Sequence, residues 1–193
     1  MTRRKRERSL RLAIDLDGVV ADFNGGWMRA YNDAYGTELT PDQVTFWDGL
    51  HELTHFEDMD AFWRWASDHG GHSVFRHLEV YEGAVESLGR LHKHGHDVVI
   101  VTAKPDWAIH DTLRWLADHA IPTREIHITD DKYRVDCDVY LDDSPYKLPE
   151  YVRERPDRVV CRFVRPWNEP VEGTRDVENW DQFVALVNEL AAD

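Results

Sequence analysis

Leu10–Asp22 reads LRLAIDLDGVVAD. Leu10, Leu12 and Ile14 alternate with Arg11 and Ala13 and run straight into Asp15 and Asp17. This alternation predicts a β-strand, because successive side chains on a strand point to opposite faces. The strand delivers Asp15 and Asp17 to its carboxyl end, starting on one face, with Leu16 turned the other way. Two carboxylates brought together repel unless a cation or a proton sits between them. A hard cation such as Mg²⁺ binds through oxygen and commonly keeps waters and a substrate phosphate in its shell. Gly18 follows, where a backbone N–H approaches a phosphate with no side chain in the way. An ordinary strand ending in a polar loop has the same local pattern, so the rest of the chain must decide.

After this strand, Asp22–Tyr35 carries Phe23, Trp27, Ala30, Tyr31 and Ala34 at helical spacing, with Gly36 as a stop. Thr40-Pro41-Asp42-Gln43 offers a capping box with proline at the first helical position, which predicts a short helix bearing Phe46 and Trp47. Asp58 caps a further helix with a Met59, Phe62, Trp63, Ala66 stripe that ends at Gly70-Gly71. No strand signal interrupts this region, so residues 24–80 are expected to form a small helical insertion rich in Trp and Phe.

Strand–helix alternation then resumes. Ala84, Leu88 and Leu91 mark a helix, and Val98–Val101 is the unbroken β-branched run of a strand covered on both faces. A helix with Ile109, Leu113, Leu116 and Ala117 follows, then strands at 125–129, 138–141 and 158–164. Asn179 caps a last helix with Trp180, Phe183, Val184, Val187 and Leu190. The pattern predicts an α/β fold, a doubly wound parallel sheet. Residues 10–23 and 81–193 are expected to form the core domain, and 1–9 a solvated basic arm.

In open α/β sheets the site lies at the carboxyl ends of the strands. The first strand ends in Asp15 and Asp17, and VVIVTAKP gives Thr102 with Lys104 close behind. IHITDDK ends in Lys132, and VYLDDSP gives Asp142 and Asp143. An acid pair, a hydroxyl, a lysine and a second acid pair thus reach one rim. Those types complement a metal and a phosphate.

The set and its order resemble the motifs of the haloacid dehalogenase superfamily, and within it the 5'(3')-deoxyribonucleotidases. The resemblance rests on IDLDGVVADF, VTAKP, TDDK and DVYLDDSPYKL, with RPWN at Arg165–Asn168 similar to the family's proline–aromatic–Asn segment. It implies a haloacid dehalogenase-like core with a small cap and a phosphatase mechanism. Asp15 is then the nucleophile and Asp17 the acid and base. Thr102 and Ala103 hold the phosphoryl group, and Lys132 neutralises charge. In the family one acid of the last pair completes the Mg²⁺ shell with Asp15 and the Asp17 carbonyl. Aligned on the commoner Gly-Asp form this is Asp143, with Asp142 acting through water or from behind. The implied substrate is a small phosphorylated molecule, a deoxyribonucleoside 5'-monophosphate first of all. Another phosphorylated metabolite, or nucleotide binding without turnover, are the alternatives. A phosphoacceptor signalling domain is disfavoured by motif order, since here the second acid pair follows the lysine.

Discrimination would fall to the cap. Phe46, Trp47, Trp63, Trp65 and Phe75 are its aromatic candidates, with Phe46 and Trp47 first for stacking on a base. Trp27, Trp115 and Trp180 are expected in the core. His92, His94 and His96 are expected in a solvated turn away from the site.

Acids outnumber bases 37 to 23, a net charge of −14, which disfavours a nucleic-acid polymer or an anionic membrane as partner. Cys137 and Cys161, the two cysteines, form no CxxC and are expected as buried thiols in a reducing cytoplasm. No apolar run approaches a membrane span of about 20 residues. The basic start lacks the apolar region of a secretory signal. A homodimer is compatible with these features.

Overall fold

A computed structural model describes residues 8–192. Its centre is β1 (Arg11–Ile14), the strand read first from the sequence. The chain then forms β2 (Ala21–Asp22), α1 (Phe23–Tyr35), α2 (Met59–Ser67), β3 (Glu79–Val80) and α3 (Ala84–Lys93). There follow β4 (Asp97–Thr102), α4 (Ile109–Asp118), β5 (Glu125–Ile128), β6 (Val139–Asp142) and α5 (Lys147–Glu154). The fold closes with β7 (Val159–Phe163), β8 (Thr174–Val177) and α6 (Trp180–Ala192).

Six strands form one sheet in the order β5-β4-β1-β6-β7-β8, with every pairing parallel. The chain winds outward from β1 through β4 to β5, then crosses back to β6 and winds the other way. That reversal opens a crevice at the carboxyl end of β1. Alternation along β1 divides the core. Leu12 and Ile14 join Leu88, Leu91, Trp115 and Phe183 of α3, α4 and α6, whereas Ala13 joins Tyr140, Leu148 and Tyr151 on the α5 face. Trp27, Trp115 and Trp180 are buried, as expected.

The insertion after β1 is built on α1 and α2. Asp22 and Asp58 cap them, accepting from the N–H groups of Gly25 and Ala61, and α1 stops at left-handed Gly36. Trp27 meets Phe62 edge-on at 5.2 Å, and Tyr31, Phe56 and Trp65 close around them. Where the sequence shows no strand signal, β2 and β3 pair antiparallel at the neck of the insertion. Each has only two residues, too few for an alternation to register.

Three local expectations need correction. The capping box at Thr40–Gln43 forms, but it caps a single 3₁₀ turn, and Phe46 and Trp47 follow it in irregular chain. Arg8 and Ser9 are not a free arm. The Arg8 N–H donates to Ala191 O and its side chain pairs with Asp138 at 2.8 Å, while Ser9 Oγ donates to Gly95 O at 2.6 Å. The rest of the expected arm lies outside the described residues. His96 is buried, its Nδ1 accepting from Leu10 N–H, although His92 and His94 are exposed as expected.

Candidate active site

The strand ends converge as the sequence implies. Asp15, at the end of β1, is buried and holds its place through an N–H donated to Leu141 O of the neighbouring strand. Beyond it the chain makes one tight turn, with the Val19, Val20 and Ala21 N–H groups all directed at Leu16 O. Gly18 N–H donates to Ala21 O at 3.0 Å, so it is not the free phosphate donor expected from the sequence. Glycine is needed here for two other reasons. Its φ is +74°, and a Cβ would lie 2.0 Å from Asp143 Oδ2.

Lys132 sits beneath the cluster, its Nζ 2.9 Å from Asp15 Oδ1 and 2.8 Å from Asp142 Oδ2. The two acids of the last motif then diverge. Asp142 is saturated, since Ser144 N–H donates to its Oδ1 at 2.9 Å and the Tyr151 hydroxyl to its Oδ2 at 3.2 Å. Asp143 receives the Trp167 indole N–H on Oδ2 at 2.8 Å, while its buried Oδ1 has no partner among the described residues. Thr102 Oγ1 and Asp17 Oδ1 are likewise buried without a partner among them. Oxygens of Asp15, Asp142 and Asp143 all lie within 4.8 Å of one another.

Electrostatics follow from this crowding. Burial, opposed by Lys132 and aided by Asp142 and Asp17, pushes the Asp15 carboxyl up to about 6. Burial, then Asp142 and Asp15, drive Asp143 well above the ordinary carboxylate range. Burial works against the Lys132 ammonium, but Asp142 and Asp15 outweigh it and hold its pKa above the usual lysine value. A buried polar group without a partner is costly. An orphaned carboxylate oxygen among like charges is what a bound cation would satisfy, and the donor set is all oxygen. The residues therefore fit a hard divalent metal.

Above this floor lies a cleft of about 680 Å³, bordered by Asp17, Gly18, Ala103, Lys104 and Asp143 below and by aromatic rings from the insertion above. Its size falls in the range of small-molecule sites, about 300–1,000 Å³. Of the five aromatic candidates, Phe46, Trp47, Trp63 and Phe75 line it. Trp65 does not line it, because its ring is packed among Tyr31, Phe56 and Phe62. Phe75 stacks on Phe23 at 5.2 Å and Trp63 on Phe23 at 5.9 Å, so those rings form one wall. Phe46 and Trp47 lack such stacking partners among the described residues; Trp47 meets Tyr146 only edge-on.

Two features went unassigned in the sequence. Lys104 pairs with Asp17 and lies 3.9 Å from the centre of the Phe75 ring, its ammonium pushed down by burial against the pull of Asp17. Its place two residues after Thr102 was a usable signal, but a lysine just past a strand end is as often solvated. Trp167 and Asn168 reach Asp143 from beyond β7, visible in sequence only through the RPWN resemblance.

The model of the family "5' nucleotidase, deoxy (Pyrimidine), cytosolic type C protein" matches residues 8–192. A protein of Chlorobaculum tepidum, provisionally named a 5'(3')-deoxyribonucleotidase, is 27% identical over 94% of this chain and 91% of its own. The 5'(3')-deoxyribonucleotidase of Bacillus subtilis is 25% identical over 89% of this chain and 94% of its own. Among solved structures, a HAD family hydrolase of Deinococcus radiodurans with bound phosphate and sodium superposes with a TM-score of 0.64. It shares 14% identity and covers 97% of this chain and 98% of its own. At that identity the likeness is one of fold.

Proposed function

Because the chain belongs to the deoxy (pyrimidine) cytosolic type C 5' nucleotidase family, whose fold is the haloacid dehalogenase one and whose members are phosphoric monoester hydrolases, we propose that it hydrolyses deoxyribonucleoside 5'-monophosphates with Mg²⁺. The observation that carries this reading is the set of orphaned buried oxygens at the strand ends, Asp143 Oδ1, Thr102 Oγ1 and Asp17 Oδ1, together with the Lys132–Asp15 pair and an aromatic cleft bordered by Asp17 and Asp143. Mg²⁺ would be held by Asp15, Asp143 and the Asp17 carbonyl, and would supply charge neutralisation at the phosphoryl oxygens.

An Asp15 carboxylate oxygen attacks phosphorus, and the ester P–O bond breaks. Asp17 gives its proton to the leaving oxygen. Water then attacks the aspartyl-phosphate, Asp17 takes the water's proton, and Asp15 is released with phosphate. Lys132 and Thr102 stabilise charge on the transferring group, with the Ala103 N–H beside them. Lys104 fixes the direction of the Asp17 carboxyl group. Residues 24–80 act as the cap, where Phe46 and Trp47 offer unpaired faces to a base. Asp142 holds Lys132 and leaves the metal to Asp143. Cys137 and Cys161, both buried and unbridged, support a reducing, cytoplasmic setting. No described helix is long and apolar enough to cross a membrane.

The test is phosphate release from a panel of deoxy- and ribonucleoside monophosphates and sugar phosphates, with and without Mg²⁺. Preference for deoxyribonucleotides, lost with EDTA and restored by Mg²⁺, is expected. Faster release from sugar phosphates than from any nucleotide would overturn the substrate, and undiminished turnover in metal-free protein would overturn the metal.

A further inference from the structure

Building on the reading that Asp143 is a metal ligand, we propose that Trp167 is a positioning residue for it, its indole N–H fixing which carboxylate oxygen faces the metal. A terminal carboxylate turns easily, because its last torsion is broad and two-fold. At Asp143 that freedom is restricted by Trp167, whose Nε1 donates to Oδ2 at 2.8 Å. Oδ2 occupies the space that the missing side chain of Gly18 leaves open, since a Cβ there would fall 2.0 Å from it. Oδ2 is pinned, and Oδ1 is the buried oxygen left without a partner among the described residues.

The pin is itself anchored. Asn168 Nδ2 donates to Asp143 O at 2.7 Å and to Phe163 O at 2.9 Å. Asn168 Oδ1 accepts from Arg165 N–H at 3.1 Å and Arg162 Nη1 at 3.0 Å. Arg162 on β7 is in turn clamped by Asp176, its register partner on β8, through bonds of 2.8 and 2.5 Å. Arg165 reaches the opposite wall, donating from Nε to Gly18 O at 2.6 Å while its guanidinium lies over the Tyr81 and Phe163 rings. One short segment, Arg165–Asn168, thus holds the backbone of Asp143, the rotation of its carboxylate and the glycine behind it. Because Trp167 also borders the cleft, substrate that displaces its ring would disturb the metal ligand.

Calorimetric titration of the full chain with Mg²⁺ alone tests this, comparing wild type with Asp143→Asn, Trp167→Phe and benzothienylalanine at position 167. The last keeps the bicyclic shape and deletes only the N–H donor, so it stands even if Trp167→Phe folds poorly. Removing a group that orients a ligand weakens metal binding by about ten- to 100-fold. A rise of about tenfold in Kd for the benzothienylalanine protein is expected, with Asp143→Asn losing measurable binding. A merely structural tryptophan would lower the melting temperature and leave the Mg²⁺ Kd where it was. A Kd within twofold of wild type in the benzothienylalanine protein, with binding lost in Asp143→Asn, overturns the role of Trp167 alone. Wild-type Mg²⁺ affinity in Asp143→Asn, or none in wild type, overturns the metal reading and this inference with it.

Discussion

The floor of the cleft and its roof are built on opposite principles. The floor is a dense set of charged groups, each placed at or just beyond the end of a strand, with Lys132 answering Asp15 and Asp142 and one oxygen of Asp143 left over. The roof contains almost no charge, and its fixed part is placed by aromatic packing that joins α1, α2 and the segment at Phe75. Charge placed by strands is suited to chemistry, since preorganised groups need not move at the moment of reaction. Faces placed by ring packing are suited to discrimination, since they distinguish substrates that share a phosphate and differ elsewhere. Variants of the floor should therefore affect all substrates alike, and variants of the roof should divide them.

The largest effect is expected at Asp15. Asp15→Asn keeps the size of the side chain but removes the nucleophile, so kcat should fall by roughly 10⁴-fold or more for a nucleotide and for p-nitrophenyl phosphate equally. A loss confined to nucleotides would break the division between floor and roof. Roof variants should behave differently. Stacking on a base is worth about 1–3 kcal/mol. Trp47→Leu or Phe46→Leu should thus raise KM about five- to 150-fold for a deoxynucleotide and leave p-nitrophenyl phosphate nearly unchanged. Trp65→Leu is the internal contrast. Its ring is packed among Tyr31, Phe56 and Phe62, so it should lower the melting temperature and slow both substrates together.

The same contrast explains what could be read from the sequence. The floor was legible because each chemical group follows a recognisable strand within a few residues. Asp15, Thr102, Lys132 and the Asp142–Asp143 pair need only local pattern and the rule that sites gather at strand ends, whereas the choice of Asp143 within the pair rested on the family resemblance. The roof was legible as aromatic content but not as geometry. Phe46 and Trp47 do line the cleft, yet not on the helix their capping box suggested, because the box closes a single 3₁₀ turn. Whether Trp63 or Trp65 faces the cleft depends on packing between α1, α2 and the segment at Phe75, which no local window contains. α5 escaped notice because KLPEYVRE has a proline in its first turn, tolerated there since those N–H groups lack helical partners anyway. β8, TRDV, is mostly polar and exposed because it lies at the sheet edge.

A moderate effect of unusual sign sharpens the picture of the floor. Burial and the neighbouring acids raise Asp143 well above its usual range, so its charged form works against the metal-free fold. Asp143→Asn keeps an oxygen to accept from Trp167 while removing that penalty. Without metal, the variant should melt a few degrees higher than wild type, and Mg²⁺ should stabilise wild type only. A lower melting point in the metal-free variant would mean that the cluster is not held together against its own repulsion.

The smallest effect belongs to the joint between roof and floor. The last leg of the cap is fastened to α4 at Asp111, Trp115 and Asp118. Ser73 N–H donates to Asp111 Oδ2 at 2.7 Å, Trp115 Nε1 donates to Leu78 O at 2.8 Å, and Arg76 pairs with Asp118 at 2.6 Å. On the other side, the loop with Phe46 and Trp47 reaches the core at Tyr146, whose hydroxyl donates to the Asp48 carboxylate and whose ring meets Trp47 edge-on. Burial works to raise the Asp111 pKa, but the Ser73 N–H, then His72 and Arg114, outweigh it and hold it below the usual value. A carboxyl depressed in the folded state binds its proton more weakly there than in the unfolded chain. Its contribution to stability is therefore complete above the unfolded value and is lost as pH falls through the folded one. A hydrogen bond to a charged acceptor contributes about 1.5–3 kcal/mol, less where the group is partly solvated. Asp111→Asn should cost on the order of 1 kcal/mol near pH 7, and the gap in melting temperature to wild type should narrow as the pH falls below the ordinary carboxylate range. Phosphate release from both substrates should be unaffected near neutrality, because neither Ser73 nor Asp111 lines the cleft. A gap that stays constant with pH would assign the bond's value to shape instead of charge. A selective loss of nucleotide turnover would show that the fixed leg of the cap, and not only its Phe46–Trp47 loop, takes part in recognition.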